Sequence, residues 1–341
     1  MNYDVTIGIP VYRSGAYIRR ALGSALAQSY SSVEFLIVDD GSDDDSLNQI
    51  RYVVERSAKS DHVRIISNDK NAGVSASRNR IIDEARGEYI YFMDSDDKIA
   101  DNTISLLMDN ARQYDAEIVF GSYEKIEMDG SRNLYQYPSL QFLKEDQLAD
   151  FAYSKYGAIQ ASACNYLVQT SLLRNNNLRF IDVNFWEDFV FTFDLVSYIS
   201  KAVLLPDITY SYYCREGSLS HYQKRDVISK SEVLNNVRAI DFLKSNTPLL
   251  KGKEYFSDRC LYIVLTDFYI ANFIIKQRNR IVPSISNREI KSYMRHPASF
   301  SQILHFNKSR IKNLLFFLIG YLPSYLCVCA LRFMGKIKQI T

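Results

Sequence analysis

The apolar run GEYIYFM ends at Asp94, Ser95, Asp96 and Asp97, placing three carboxylates within four residues. Like charges crowded at one point destabilise a fold unless a cation neutralises them. Mg2+ and Mn2+ prefer oxygen ligands and commonly bridge one or two carboxylates to the phosphates of a substrate. A D-x-D triplet alone is frequent by chance, but a second acidic pair, Asp39 and Asp40, closes another apolar run, VEFLIVDD. A third pair, Glu187 and Asp188, follows Phe185 and Trp186 at the head of an amphipathic segment. A carboxylate there has the chemistry of a general base; acids at a helix start are also favoured by the macrodipole alone. Asp43, Asp44 and Asp45 read as cap and turn residues before a helix.

These acids need elements to position them. Residues 1–125 alternate short β-rich apolar runs with longer segments of helical period. Strands are expected at Val5–Pro10, VEFLIVDD, VRIIS, YIYFM and EIVFGSY, and helices from Ile18, over Ser46–Arg56, over SASRNRIIDEA and over Thr103–Gln113. Alternation of this kind, with strands apolar throughout, implies a mostly parallel sheet covered on both faces. In such a sheet ligands bind beyond the carboxyl ends of the strands. The exits PVYR, Asp39–Ser42 and Asp94–Asp97 should then share one edge. Further on, AVLLPDITYSYYCREGSLSH reads as a strand pair interrupted by Pro206, followed by a polar loop and then helices, including Lys230–Lys244 and Tyr255–Lys276.

The net charge of +2 hides an asymmetry. Residues 1–130 hold 14 Lys/Arg against 23 Asp/Glu, a net −9, whereas residues 215–341 hold 21 against 8, a net +13. An acidic front suits a metal site and a basic rear an anionic partner. Residues 314–331, LLFFLIGYLPSYLCVCAL, are uncharged and flanked by Lys308, Arg310 and Lys312 on one side and by Arg332, Lys336 and Lys338 on the other. Gly320 and Pro323 argue against a straight spanning helix and for a bent or in-plane one at an anionic membrane surface; a helical pair packed on the domain is the alternative. Five cysteines fit neither zinc spacing nor a disulfide framework, which suits a reducing compartment. VTIGIPVY begins too early for a signal core, so a cytoplasmic protein, peripheral on the membrane, is expected. Nothing in the sequence points to nucleic acid.

VTIGIPVYRSGAYIRRALGSALAQSY, EFLIVDDGSDDDS, NAGVSASRNRIIDEARGEYIYFMDSDD and WED occur in this order. In these phrases the chain resembles the family 2 glycosyltransferases of GT-A fold, closely over residues 3–125 and more thinly to about residue 222. The resemblance implies an α/β GT-A fold with a C-terminal helical extension. Residues 1–222 would be the catalytic domain, with a nucleotide-binding half at 1–125 and an acceptor half at 126–222. Residues 223–341 would be a basic helical region, membrane-associated at 308–338. The implied reaction is inverting transfer of a hexose or N-acetylhexosamine from a nucleotide-diphosphate donor, with Mn2+ or Mg2+, to a glycan or lipid-linked acceptor in surface polysaccharide synthesis.

Carried over by residue, the resemblance puts Pro10, Val11 and Tyr12 in the base and ribose pocket and has Asp40 accept from uracil N3, favouring UDP-sugars. Asp39, Arg78 and Asn79 would lie at the nucleotide or its phosphates, Asp94 and Ser95 at the ribose or donor sugar, and Arg215 at the diphosphate with Ser218. Asp96 and His221 would ligate the metal and Asp97 would support them. Asp188 would be the base, with Glu187 and Trp186 orienting the acceptor. Other readings are a sugar-nucleotide-handling nucleotidyltransferase or a non-catalytic nucleotide-sugar-binding protein. A GxxxxGK[ST] loop is lacking, as is a QxxRW-like motif of processive synthases, Trp186 being the only tryptophan.

Overall fold

Val5, Ile7 and Ile9 have no exposure, nor do Phe35, Leu36, Ile37 and Val38 on the neighbouring strand. Residues of both faces are buried along each strand, the mark of a sheet covered on both sides. The computed structural model describes residues 3–183, 185–215 and 225–337. By contact the chain divides into two units interleaved in sequence. One is Met1–Leu148 with Ala161–Asp182 and Phe191–Ser218; the other is Ala149–Gln160 with Val183–Val190 and Leu219–Thr341.

The first unit runs β1 (Tyr3–Val11), α1 (Ile18–Leu26), β2 (Val33–Asp39), α2 (Ser46–Val54), β3 (Val63–Ser67), α3 (Val74–Glu84), β4 (Gly87–Phe92), β5 (Lys98–Ile99), α4 (Thr103–Tyr114), β6 (Ile118–Ile126), β7 (Arg132–Tyr135) and β8 (Leu140–Phe142). After α5 (Gln147–Ser154), most of which belongs to the second unit, come β9 (Tyr166–Gln169), α6 (Thr170–Asn175), α7 (Glu187–Leu195), which begins in the second unit and ends in the first, and β10 (Ala202–Tyr213). The sheet order is β3-β2-β1-β4-β9-β6-β10-β5, with β7 on β6 and β8 on β10. β1 to β4 are parallel. The short β9 runs antiparallel to both β4 and β6, so β6 points the same way as β4 but is held one strand away from it. This is the mixed, helix-flanked sheet of a GT-A-like fold. Gly87 fits between strands where a side chain would not: a Cβ there would stand 2.3 Å from the Thr6 nitrogen.

The strand pair expected around Pro206 is instead one strand. β10 continues through the proline, with register shifts against β6 between Leu204 and Tyr210, and a bulge is where a sheet tolerates a residue that cannot donate.

The second unit adds β11 (Ile228–Ser229), α8 (Lys230–Asn246), α9 (Phe256–Gln277), β12 (Ile281–Val282), α10 (Asn287–Tyr293), α11 (Phe300–Leu304), α12 (Arg310–Tyr321) and α13 (Ser324–Ile337). Ser229, Ser286 and Ser299 start α8, α10 and α11 with reciprocal capping boxes. The uncharged stretch 314–331 is split into two helices at Leu322, whose ψ of 152° before Pro323 is the extended backbone a following proline imposes. Among the described residues one helix, α9, is long and apolar enough to cross a membrane, and 67% of its most apolar window is buried in the structure.

Candidate active site

Three strand exits meet at one sheet edge, and hydrogen bonds tie them together. Ser14, after β1, donates its N–H to Ser46 Oγ at 2.8 Å, and its hydroxyl lies 2.6 Å from that of Ser95. Arg13, at φ 47°, bonds Ser42 through its N–H and Asp43 through its guanidinium. Ser95 is therefore a fastener between the first and fourth strand exits. Asp44 accepts from Ser46 N–H at 3.1 Å and from Gly15 N–H at 3.1 Å, while the N-cap of α2, Asp45, makes no side-chain cap bond.

The three carboxylates of the β4 exit have different surroundings. Asp94 is partly exposed and paired with the buried Arg78 at 3.0 Å, and Arg78 lies 5.4 Å over the Phe180 ring. Asp96 pairs with Arg215, whose guanidinium lies 5.1 Å over the Tyr17 ring. Arg20 donates to the Asp96 main-chain oxygen and rests 3.7 Å over Tyr213. Burial pushes the Asp96 carboxyl above its ordinary value, the Asp94 charge adds to this, and Arg215 opposes it. Asp97 has no exposure and accepts from Tyr210 Oη at 2.6 Å and Tyr213 N–H at 2.8 Å, both on β10. Burial, then Asp94 and Asp96, push its carboxyl well up. Asp97 thus anchors the loop to the sheet, and Tyr210 also accepts from Asp94 N–H at 3.2 Å.

At the β2 exit both acids are bonded to nearby backbone. Asp40 Oδ1 accepts from Asn68 Nδ2 at 2.7 Å and Ala72 N–H at 3.0 Å, and Oδ2 from Gly73 N–H at 2.8 Å. Its carboxylate braces the loop that opens α3. Asp39 is buried and accepts from Ser42 N–H at 3.3 Å. The Asn79 amide donates to the Phe180 carbonyl and accepts from the Phe180 N–H, both at 2.8 Å. The clamp matters, because Phe180 stacks on Phe191 at 3.8 Å and meets Phe92 edge-on. Pro10 and Val11 end β1 as buried strand residues; of the three expected pocket residues only Tyr12 presents surface, at 40% exposure.

Trp186, Glu187 and Asp188 open α7 within the second unit. Asp188 Oδ1 accepts the Phe189 N–H at 2.7 Å, one of the donors a helix start leaves unsatisfied. Trp186 has φ 73°, a left-handed conformation seldom adopted by bulky side chains. His221 and Ser218 lie outside the described residues. Ser14, Arg20, Tyr210 and Tyr213 were missed by sequence reasoning. A tyrosine in a strand rich in tyrosines carries no local sign that its hydroxyl reaches a carboxylate 113 residues away.

Among the described residues no three His, Cys, Asp or Glu side chains gather as a metal cluster. Asp94 and Asp96 are nonetheless a fitting donor set for Mg2+ or Mn2+ that takes its remaining ligands from phosphate and water.

Residues 6–168 match the family model described as Glycosyl transferase family 2. The succinoglycan biosynthesis protein ExoO of Rhizobium meliloti is 29% identical over 231 residues; the match spans 66% of this chain and 65%, just under two thirds, of that protein. Staphylococcus aureus TarS 1–349, solved with UDP-GlcNAc, superposes with a TM-score of 0.56 at 17% identity over 94% of this chain and 90% of that one. The mannosyltransferase PcManGT of Pyrobaculum calidifontis, solved with GDP-Man and Mn2+, does so at 0.53 and 13% identity, over 98% of this chain and 88% of its own. At such identities the two structures speak for the fold. The matched residues, the fold and the three joined strand exits agree in likening residues 6–168 of this chain to glycosyl transferase family 2.

Proposed function

We propose that this protein is a metal-dependent, inverting glycosyltransferase that moves a hexose or N-acetylhexosamine from a UDP-sugar to a glycan or lipid-linked glycan in surface polysaccharide synthesis. The observation that carries the reading is the β4 exit: two carboxylates, Asp94 and Asp96, each paired to a guanidinium, on a loop anchored by the buried Asp97. Arg78 and Arg215 supply forked donors suited to a diphosphate. Bound at Asp94 and Asp96, Mn2+ or Mg2+ would stabilise the charge that develops on the leaving phosphate. TarS and PcManGT, solved with a UDP-sugar and with a GDP-sugar and Mn2+, support a nucleotide-diphosphate donor with a divalent ion. Tyr12 and Asp39 would meet the nucleoside, and Asp188 would take the proton of the acceptor hydroxyl as the oxocarbenium-like transition state forms.

We place this activity at the cytoplasmic face of an anionic membrane. The outward faces of α12 and α13 support that reading: Ile311, Leu318, Tyr321, Tyr325 and Phe333 are exposed where a helix in water would be polar, and Arg310, Lys312, Arg332 and Lys336 surround them.

Calorimetric titration of UDP with Mn2+ tests the donor site. Asp96→Ala should abolish metal-dependent binding, and Asp188→Asn should leave binding intact while slowing transfer by about 10²–10⁴-fold. Equal loss of binding in both variants would sink the assignment of roles; the absence of any nucleoside-diphosphate binding by the unaltered protein would sink the function.

A further inference from the structure

Beside Asp188 the second unit carries a row of aromatic rings that the donor site does not use. Phe185 and Trp186 are 6.2 Å apart between centroids, Trp186 and Phe189 5.5 Å, and Phe189 and Tyr262 6.2 Å at 28° between planes. Tyr262 stacks on Tyr156 at 4.4 Å and 21°, and Tyr156 meets Tyr269 at 5.4 Å. Tyr262 and Tyr269, seven residues apart on α9, share one helix face. The apolar core that Phe256 and Cys260 of α9 build with Ile303 and Phe306 is a separate cluster.

Three features set the row apart from core packing. Its far end is open: Tyr156 is 48% exposed although one face lies on Tyr262. That end is also rigid, since the Tyr262 hydroxyl accepts the Gly157 N–H at 3.2 Å and the Tyr156 hydroxyl is bonded to Thr266. Its near end holds Trp186 in the left-handed conformation, a strain that persists where surrounding structure enforces it and that clusters at binding and catalytic sites. Pyranose rings present flat C–H faces that lie on aromatic faces, while their hydroxyls stay in water; tyrosine and tryptophan suit that divided surface. A rigid platform also costs little ordering on binding.

We propose that this row is the acceptor-glycan subsite, with Trp186 and Phe189 under the sugar next to Asp188 and Tyr156 under a second sugar further from it. The proposal rests on the glycosyltransferase reading, which supplies the sugar acceptor. Phe189 and Tyr262 stand between Trp186 and Tyr156 in the row, which assigns the two end rings to successive sugars.

Trp186 is the only tryptophan, so its emission reports on the row directly. The full chain, without donor, is titrated with cellotetraose and with chitotetraose. At least one tetrasaccharide should change Trp186 emission saturably. Tyr156→Ala should weaken that binding by about five- to tenfold, and Tyr156→Phe should retain it. Calorimetric binding of UDP with Mn2+ should be equal in all three proteins. No saturable change with either tetrasaccharide, or a change that Tyr156→Ala leaves unaltered, overturns the subsite. Failure of the unaltered protein to bind UDP with Mn2+ is a separate result and overturns the donor reading instead.

Discussion

The acids of the β4 exit were equal as letters and are unequal as chemistry. Asp94 faces a guanidinium and solvent, Asp96 is raised by burial and by Asp94, and Asp97 is sealed beneath them by Tyr210 and Tyr213. What separates them is solvent access, because a carboxylate without water must take its hydrogen bonds from the protein. Tyr210→Phe removes one of the two donors to Asp97 without opening a large cavity. It should destabilise the protein by about 2 kcal/mol, read as a lower urea midpoint at unchanged m-value. An unchanged midpoint would show that Asp97 does not depend on this bond. Asp40 and Asn79 show the same dependence on surroundings: each makes hydrogen bonds to main chain distant in sequence.

Among the elements, the strand exits did what the parallel arrangement demands, and the helices of the second unit depend on a few buried polar joints. Asn313 on α12, with no exposure, donates to the Ser257 carbonyl of α9 at 3.0 Å and presents Oδ1 to His296 Nε2 at 3.0 Å. His296 Nδ1 lies 3.0 Å from the Ala298 nitrogen and 3.2 Å from the Ala298 carbonyl oxygen; a neutral ring that accepts the Ala298 N–H carries its proton on Nε2, facing Asn313 Oδ1. Burial, with a smaller push from Lys244, holds His296 below its ordinary 6.5. A histidine whose folded value is depressed contributes stability that is present above about 6.5 and is lost as pH falls through the lower folded value. The melting temperature should therefore fall between pH 7 and pH 5.5 by more in the unaltered protein than in His296→Gln. Parallel pH profiles for the two would refute this role.

For the whole molecule, the charge asymmetry and the apolar outer faces of α12 and α13 bear on where the protein works. Tyr321 is 72% exposed and Phe333 64%. Replacing the mostly exposed Leu318 and Phe333 together by serine spares the stack of Tyr321 on Phe317 and should lower binding to vesicles rich in anionic lipid by about tenfold. Added salt should weaken binding of the unaltered protein, since its basic flanks are exposed. Sedimentation with vesicles that is the same for both proteins would refute membrane docking.

How much of this was legible follows from what each signal depends on. Strands β1 to β4, the helices between them and the acidic exits were readable because apolar periodicity and turn chemistry are local and repeat along the chain. The short β5, β7 and β9 were not, since strands of two to four residues have no period of their own and exist only where a neighbour pairs with them. The break at Pro323 was visible because proline acts on the residue before it; the continuity of β10 through Pro206 was not, because a bulge is a property of the partner strand as well. The residue pattern alone was enough for the α/β architecture, the likeness to a family over residues 6–168 and the acids that gather beyond the strands. Only the tertiary structure decided which of those acids meets solvent, which is locked beneath Tyr210, and which rings line up beside Asp188, because burial and long-range hydrogen bonds arise between residues that the chain keeps far apart.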